Sequence, residues 1–184
     1  MADEERSVVL VEGPSDAGAV RALARRQGRD LDAEGVSIVP IGGYGNVGRF
    51  LERYGPAGLG ARLAGLYDAP EERHFQRALA RAGFGPTCSR ADLEALGFYA
   101  CEANLEDELA RALGPAAMEE LLEAQGELRS FRTYQKQPAH RQEPIEAQLH
   151  GFLWNRKAEY GVLIVDALEL DRIPRPLAAV LAHV

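Results

Sequence analysis

Lysine is almost missing from this chain. Only Lys136 and Lys157 stand among its 21 basic residues. Beside so many alanines and glycines this reads as a coding bias toward arginine, and it marks two places where a compact ammonium was kept. Cysteine is equally scarce: Cys88 and Cys101 have no metal-ligand spacing and make no disulfide framework, so reduced thiols in a cytoplasmic protein are expected. No run of 18 apolar residues exists to span a bilayer. The first residues, MADEERSVVLVEG, are acidic and lead straight into a strand, unlike a secretory signal or a transit peptide. No G-x-x-x-x-G-K-[ST] loop, internal repeat or low-complexity tract appears. Excess positive charge is lacking too. A net charge of −7 argues against an autonomous high-affinity nucleic-acid binder. It does not argue against a nuclease whose acids face a metal.

What is present is an ordinary globular composition. The chain has 184 residues, 46% of them hydrophobic and 27% charged, enough for one domain or a core with an appendage. Strands are predicted at 8–12, 36–41, 62–67 and 97–101, and the helices that follow them at 16–27, 46–54, 71–82 and 104–113. This βα alternation predicts an α/β fold, a mostly parallel Rossmann-like sheet flanked by helices. The rest reads as a helical extension over 116–184 on a core of 1–115, with helices at 118–125, 144–154 and 160–170 and a last one ending at His183. The softest stretch is 125–144, polar and locally basic.

Two predicted strands end in acids. Val8-Val9-Leu10-Val11 runs into Glu12-Gly13-Pro14-Ser15-Asp16, and Gly60 to Tyr67 runs into Asp68. Ligands of open α/β sheets bind beyond the carboxyl ends of the strands. A carboxylate at the tip of a buried strand is costly unless it is paired or holds a cation. Neighbouring strands lie about 5 Å apart, so Glu12 and Asp68 can share hydrated divalent cations, and Mg²⁺ suits an all-oxygen site that keeps several waters. Ser15 or Asp16 has a plainer role open to it, capping the next helix. Asn104 reads as an N-cap, and Glu106-Asp107-Glu108 as acids that complement a helix dipole.

The segments Val11-Glu12-Gly13-Pro14-Ser15-Asp16, Pro40-Ile41-Gly42-Gly43, Leu66-Tyr67-Asp68 and Leu105-Glu106-Asp107-Glu108-Leu109, in this order, resemble the Toprim domain. The likeness is to its overcoming-lysogenisation-defect (OLD) nuclease type, with residues 6 to 113 as the Toprim core. The resemblance implies a metal-dependent endonuclease or related nucleotidyl hydrolase-transferase using Mg²⁺ or Mn²⁺, two ions in all. Glu12 is implied as general base and metal ligand, with Asp16 and Asp68 as further ligands. The second acid of the Asp-x-Asp motif is replaced by Pro70, so Glu71, or Glu106 and Asp107, would complete the set. Lys157 or Lys136 would face the scissile phosphate. Two such cations sit about 3.5–4 Å apart and clamp the attacking and leaving oxygens of an in-line displacement. The resemblance also implies DNA as the foremost substrate. ATP control would come from a separate ATPase subunit, since no such motif occurs here. It leaves a homodimer open.

Other readings compete. Arg129, Arg132, Lys136 and Arg141 could track a phosphate backbone or simply be a solvated loop, and His74 and His140 read as surface histidines. Gly43-Tyr44-Gly45-Asn46-Val47-Gly48 is a literal G-x-G-x-x-G, with Asp68 placed like a ribose-binding acid, which would make the chain a dinucleotide binder. The loss at Pro70 also fits a catalytically degenerate Toprim that partners an ATPase.

Overall fold

A computed structural model describes residues 7–86, 89–153 and 157–184, with the side chains of 157 and 158 outside that description. Four strands form one sheet: β1 (Ser7–Val11), β2 (Val36–Pro40), β3 (Arg62–Asp68) and β4 (Phe98–Cys101). Their order is β2-β1-β3-β4 and every pairing is parallel. The expected α/β architecture is therefore what is found. The chain steps from β1 to one side for β2 and then crosses back to the other side for β3. That reversal leaves a crevice between the carboxyl ends of β1 and β3. Val8 pairs with Leu63 and Leu10 with Gly65, so the register carries Glu12 and Asp68 out of the sheet side by side.

Alternation along β1 sorts the core into two layers. Val9 and Val11 face a cluster built with α1 (Pro14–Arg26), α5 (Leu105–Leu113), α6 (Pro115–Ala124), α7 (Leu128–Gln135), α8 (Ile145–Leu153), α9 (Lys157–Ala167) and α10 (Arg175–His183). Val8 and Leu10 face a second cluster with α2 (Val47–Tyr54), α3 (Glu72–Arg81) and α4 (Arg90–Ala95). Strands buried on both faces need near-continuous apolar runs, and Val8 to Val11 is one. Helix α9 lies on α1 where Gly18 lets it approach: a Cβ there would stand 3.0 Å from Val162. Arg26 donates to the carbonyl oxygens of Val165 and Leu168, satisfying the otherwise orphaned end of α9, while Arg25 pairs with Asp166 at 2.9 Å.

Several boundaries differ from the sequence expectation, the start of α1 at Pro14 rather than 16 among them. The helix expected from 118 begins at Pro115, which fits a first helical position because its missing N–H is not needed there. The helix expected over 160–170 runs Lys157–Ala167, and Leu170–Arg172 is a separate 3₁₀ turn. The polar stretch 125–144 contains α7, because Leu128, Phe131 and Tyr134 line one helical face and Phe131 is fully buried. Helix α4 was not expected; the Ser89 hydroxyl accepts from the Asp92 N–H and the Asp92 carboxylate from the Ser89 N–H, a reciprocal cap. Cys88 and Trp154 lie outside the described residues, and Cys101 is a buried free thiol. Among the described residues no helix is long and apolar enough to cross a membrane.

Candidate metal centre

An open cleft of about 610 Å³ lies at the carboxyl ends of β1 and β3. Glu12, Asp16, Asp68 and Glu106 all line it. Each arrives for a local reason. Glu12 follows the last residue of β1, and Asp68 is the last residue of β3. Asp16 sits in the first turn of α1 and accepts the Gly13 N–H at 3.0 Å, so it caps the helix and faces the cleft at once. Glu106 sits in the first turn of α5, whose N-cap Asn104 accepts the Asp107 N–H at 2.9 Å.

The loop after β2 closes one side of the cleft. The Glu12 carbonyl accepts from the Gly42 and Gly43 N–H groups at 3.0 and 3.3 Å. Both glycines have positive φ, 72° and 100°, which a side chain would strain. Across the cleft the Ser15 hydroxyl donates to Glu106 at 2.9 Å, tying the turn after β1 to α5. Tyr44 lies beneath Asp68. Its hydroxyl accepts the Asp68 N–H at 2.9 Å and lies beside the Asp68 carboxylate, whose ionised form it favours. Neither Ser15 nor Tyr44 was singled out for this work by its sequence context; a tyrosine inside a glycine turn was the available signal.

The electrostatics are those of crowded acids. Burial above all lifts the Asp68 carboxyl from 3.8 to about 7; the nearby Tyr44 hydroxyl opposes this, and the Glu12, Asp16 and Glu106 charges add to it. Burial and the Asp68 and Glu12 charges push the Tyr44 phenol well above its usual range, which keeps it a hydrogen-bond donor.

The other expected ligands stand elsewhere. Glu71 closes the 3₁₀ turn Ala69–Glu71 and is not among the residues lining the cleft. Asp107 points away from it, bonded to His150 of α8. Lys157 opens α9, but its side chain lies outside the described residues. Lys136 is the exposed C-cap of α7. Of the expected phosphate-tracking residues, Arg132 is bound to Glu119 and Gln135, while Arg129 and Arg141 are exposed. His74 meets the Tyr44 carbonyl at 3.1 Å, and His140 stacks on Tyr134.

The donor set is oxygen only, which fits Mg²⁺ or Mn²⁺ in kind. Among the described residues, however, no three acid, histidine or cysteine side chains are gathered closely enough to hold an ion together. The glycine motif does not form a dinucleotide site. β1 separates β2 from β3, so Asp68 does not end the strand next to the one that leads into the glycine turn, as a ribose-binding acid would.

Residues 5–69 match the family model described as "Overcoming lysogenization defect protein-like, TOPRIM domain". The fold is similar to the C-terminal region of the Xanthomonas campestris pv. campestris OLD protein, with a TM-score of 0.74 at 23% identity over 97% of this chain and 91% of that one. It is likewise similar to the C-terminal region of the Burkholderia pseudomallei OLD protein, with a TM-score of 0.72 at 19% identity, covering 97% and 96% of the two chains. No curated protein sequence matches. The OLD-type Toprim likeness read from the sequence is thus borne out, by a family match over the first strands and by a shared fold over nearly the whole length.

Proposed function

We propose that this chain, OLD-like Toprim over residues 5–69, is a divalent-metal-dependent nuclease that hydrolyses phosphodiester bonds, DNA being its foremost substrate. The observation that carries this reading is the meeting of Glu12, Asp16, Asp68 and Glu106 in one cleft, with Asp68 lifted to about 7 by burial and by its acid neighbours. Such repulsion is what a bound cation would relieve. Mg²⁺ or Mn²⁺ there would supply Lewis-acid stabilisation of charge on the phosphate oxygens. Asp16, Asp68 and Glu106 would hold the ions, and Glu12 would ligate and take the proton of the attacking water. Tyr44 holds the Asp68 backbone through one hydrogen bond, and Ser15 holds the Glu106 carboxylate through another. Lys157, at the start of α9, would offset charge developing on the non-bridging oxygens.

Plasmid nicking by the purified chain in Mg²⁺ and in Mn²⁺ tests this, beside a Glu12→Ala variant and an EDTA control. Metal-dependent nicking that the variant loses supports the assignment. No nicking, or equal nicking by the variant, overturns it.

A second reading is a degenerate Toprim that binds or regulates a separate ATPase subunit. It is favoured by the absence of three gathered ligands among the described residues and by Pro70 where the motif wants an acid. That reading requires a melting temperature indifferent to Mg²⁺ and Mn²⁺.

A further inference from the structure

On the second face of the sheet, α2 and α3 flank a groove of about 430 Å³ lined by Gly45, Gly48, Arg49, His74, Arg77 and Arg81, with Glu52 as the one acid among its described lining residues. The two glycines leave its mouth bare, since a Cβ on either would meet nothing within 4 Å. Arg49, Arg77 and Arg81 are exposed, and none of them is ion-paired among the described residues. The same holds for Arg53 and Arg73 beside them. Arg25, Arg29, Arg90, Arg111, Arg132 and Arg175 each pair with a carboxylate; what sets α2 and α3 apart is that these five arginines without an ion pair share two neighbouring helices. The Arg49 guanidinium lies 5.1 Å from the Phe50 ring, and Arg77 is steadied by a 3.1 Å bond from its Nε to the Arg73 carbonyl. A protein of net charge −7 thus leaves a strip of unpaired cations here.

The groove adjoins the acid cleft through a single turn. Gly42 and Gly43 line the cleft; Gly45 and Gly48 line the groove. Tyr44 between them places its hydroxyl on Asp68 and its carbonyl on His74. Arg77 and Arg81 are one helical turn apart, about 6 Å along α3, a spacing that suits charges repeated along a polyanion.

We propose that the α2–α3 groove carries the phosphodiester backbone of a nucleic-acid strand whose reacting phosphate lies in the acid cleft. Arg49, Arg77 and Arg81 neutralise phosphates flanking it, and Gly45 and Gly48 give the backbone room. This rests on the nuclease reading of the cleft, and it favours this face over the Arg129, Arg132, Lys136 and Arg141 patch of the extension, where Arg132 is already engaged. Charge complementarity and continuity with the cleft carry the assignment.

The test is binding, not cutting. A labelled single-stranded oligonucleotide is titrated by fluorescence anisotropy in EDTA, with the Glu12→Gln chain as parent, between about 50 and 200 mM salt, the range over which phosphate contacts show themselves. Combining Arg49→Ala, Arg77→Ala and Arg81→Ala should flatten the slope of log K against log salt by about 2, at roughly 0.7 per contact on a single strand. The corresponding three Arg→Lys changes should keep the slope. Arg129→Ala, Arg132→Ala and Arg141→Ala together should leave it unchanged. A slope untouched by the groove variant, a slope lost in the extension variant instead, or no binding by the parent overturns the proposal. A chain that shows the slope change yet never nicks plasmid keeps the groove and loses the nuclease reading, so the two failures are told apart.

Discussion

Asp68 titrates near neutrality, so cation binding in the cleft should depend steeply on pH around 7. With its carboxyl at about 7, roughly one site in eleven is deprotonated at pH 6 and roughly ten in eleven at pH 8; the apparent Kd for Mg²⁺ or Mn²⁺ then falls about tenfold across that interval. A carboxylate at its ordinary 3.8 would be ionised throughout and give almost no change. Calorimetric titration with Mn²⁺ at three pH values reads this directly, and Asp68→Asn should remove both the affinity and its pH dependence. Without metal the sign reverses. The folded chain holds a proton that the unfolded chain releases between 3.8 and about 7, so this group's contribution to stability is complete below 3.8 and is lost as pH rises through about 7. Metal should therefore raise the melting temperature most where the metal-free chain has lost this contribution. Metal affinity that is flat from pH 6 to 8, or that changes only near pH 4, refutes the reasoning.

Tyr44→Phe removes the hydroxyl that favours the ionised Asp68 carboxylate, and should move the midpoint of the metal-binding pH profile upward by about one unit. An unmoved or lowered midpoint would show that the hydroxyl does not set Asp68. Gly65→Ala puts a Cβ 2.8 Å from the Leu10 carbonyl oxygen and 3.0 Å from the Phe98 ring, in the middle of the sheet. A loss of about 1–3 kcal/mol is expected from such overpacking, read as a lower urea midpoint at unchanged m-value.

The parts legible in the sequence were those decided locally. Val8 to Val11 is apolar and Gly13-Pro14 breaks it, so the strand and the exposure of Glu12 at its tip follow from adjacent residues. Asp68 is similarly announced by the run before it. The rest depends on contacts made far along the chain. Ser15 looks like a cap, yet its hydroxyl reaches Glu106, 91 residues away. Tyr44 sits in a glycine pattern that imitates a dinucleotide motif, and only the fold brings it beneath Asp68. Glu106 and Asp107 differ by one step of helical rotation, about 100°, enough for one to face the cleft and the other to meet His150. Helix α7 was hidden because its apolar residues are few and its polar ones many, although Phe131 anchors it.

The packing of α9 on α1 has a bearing on synthesis. Helix α1 is complete at Arg26 and meets β1 and β2 early, but the helix that covers its other apolar side begins near residue 157. At roughly 5–20 residues per second, that side of α1 waits about 7–26 s on the ribosome for its partner. Helix α10, which packs against the same cluster, emerges later still. A nascent chain of this design is most exposed to misassociation in its first half, and slowing translation between α1 and α9 should lower its soluble yield without changing the stability of the finished fold.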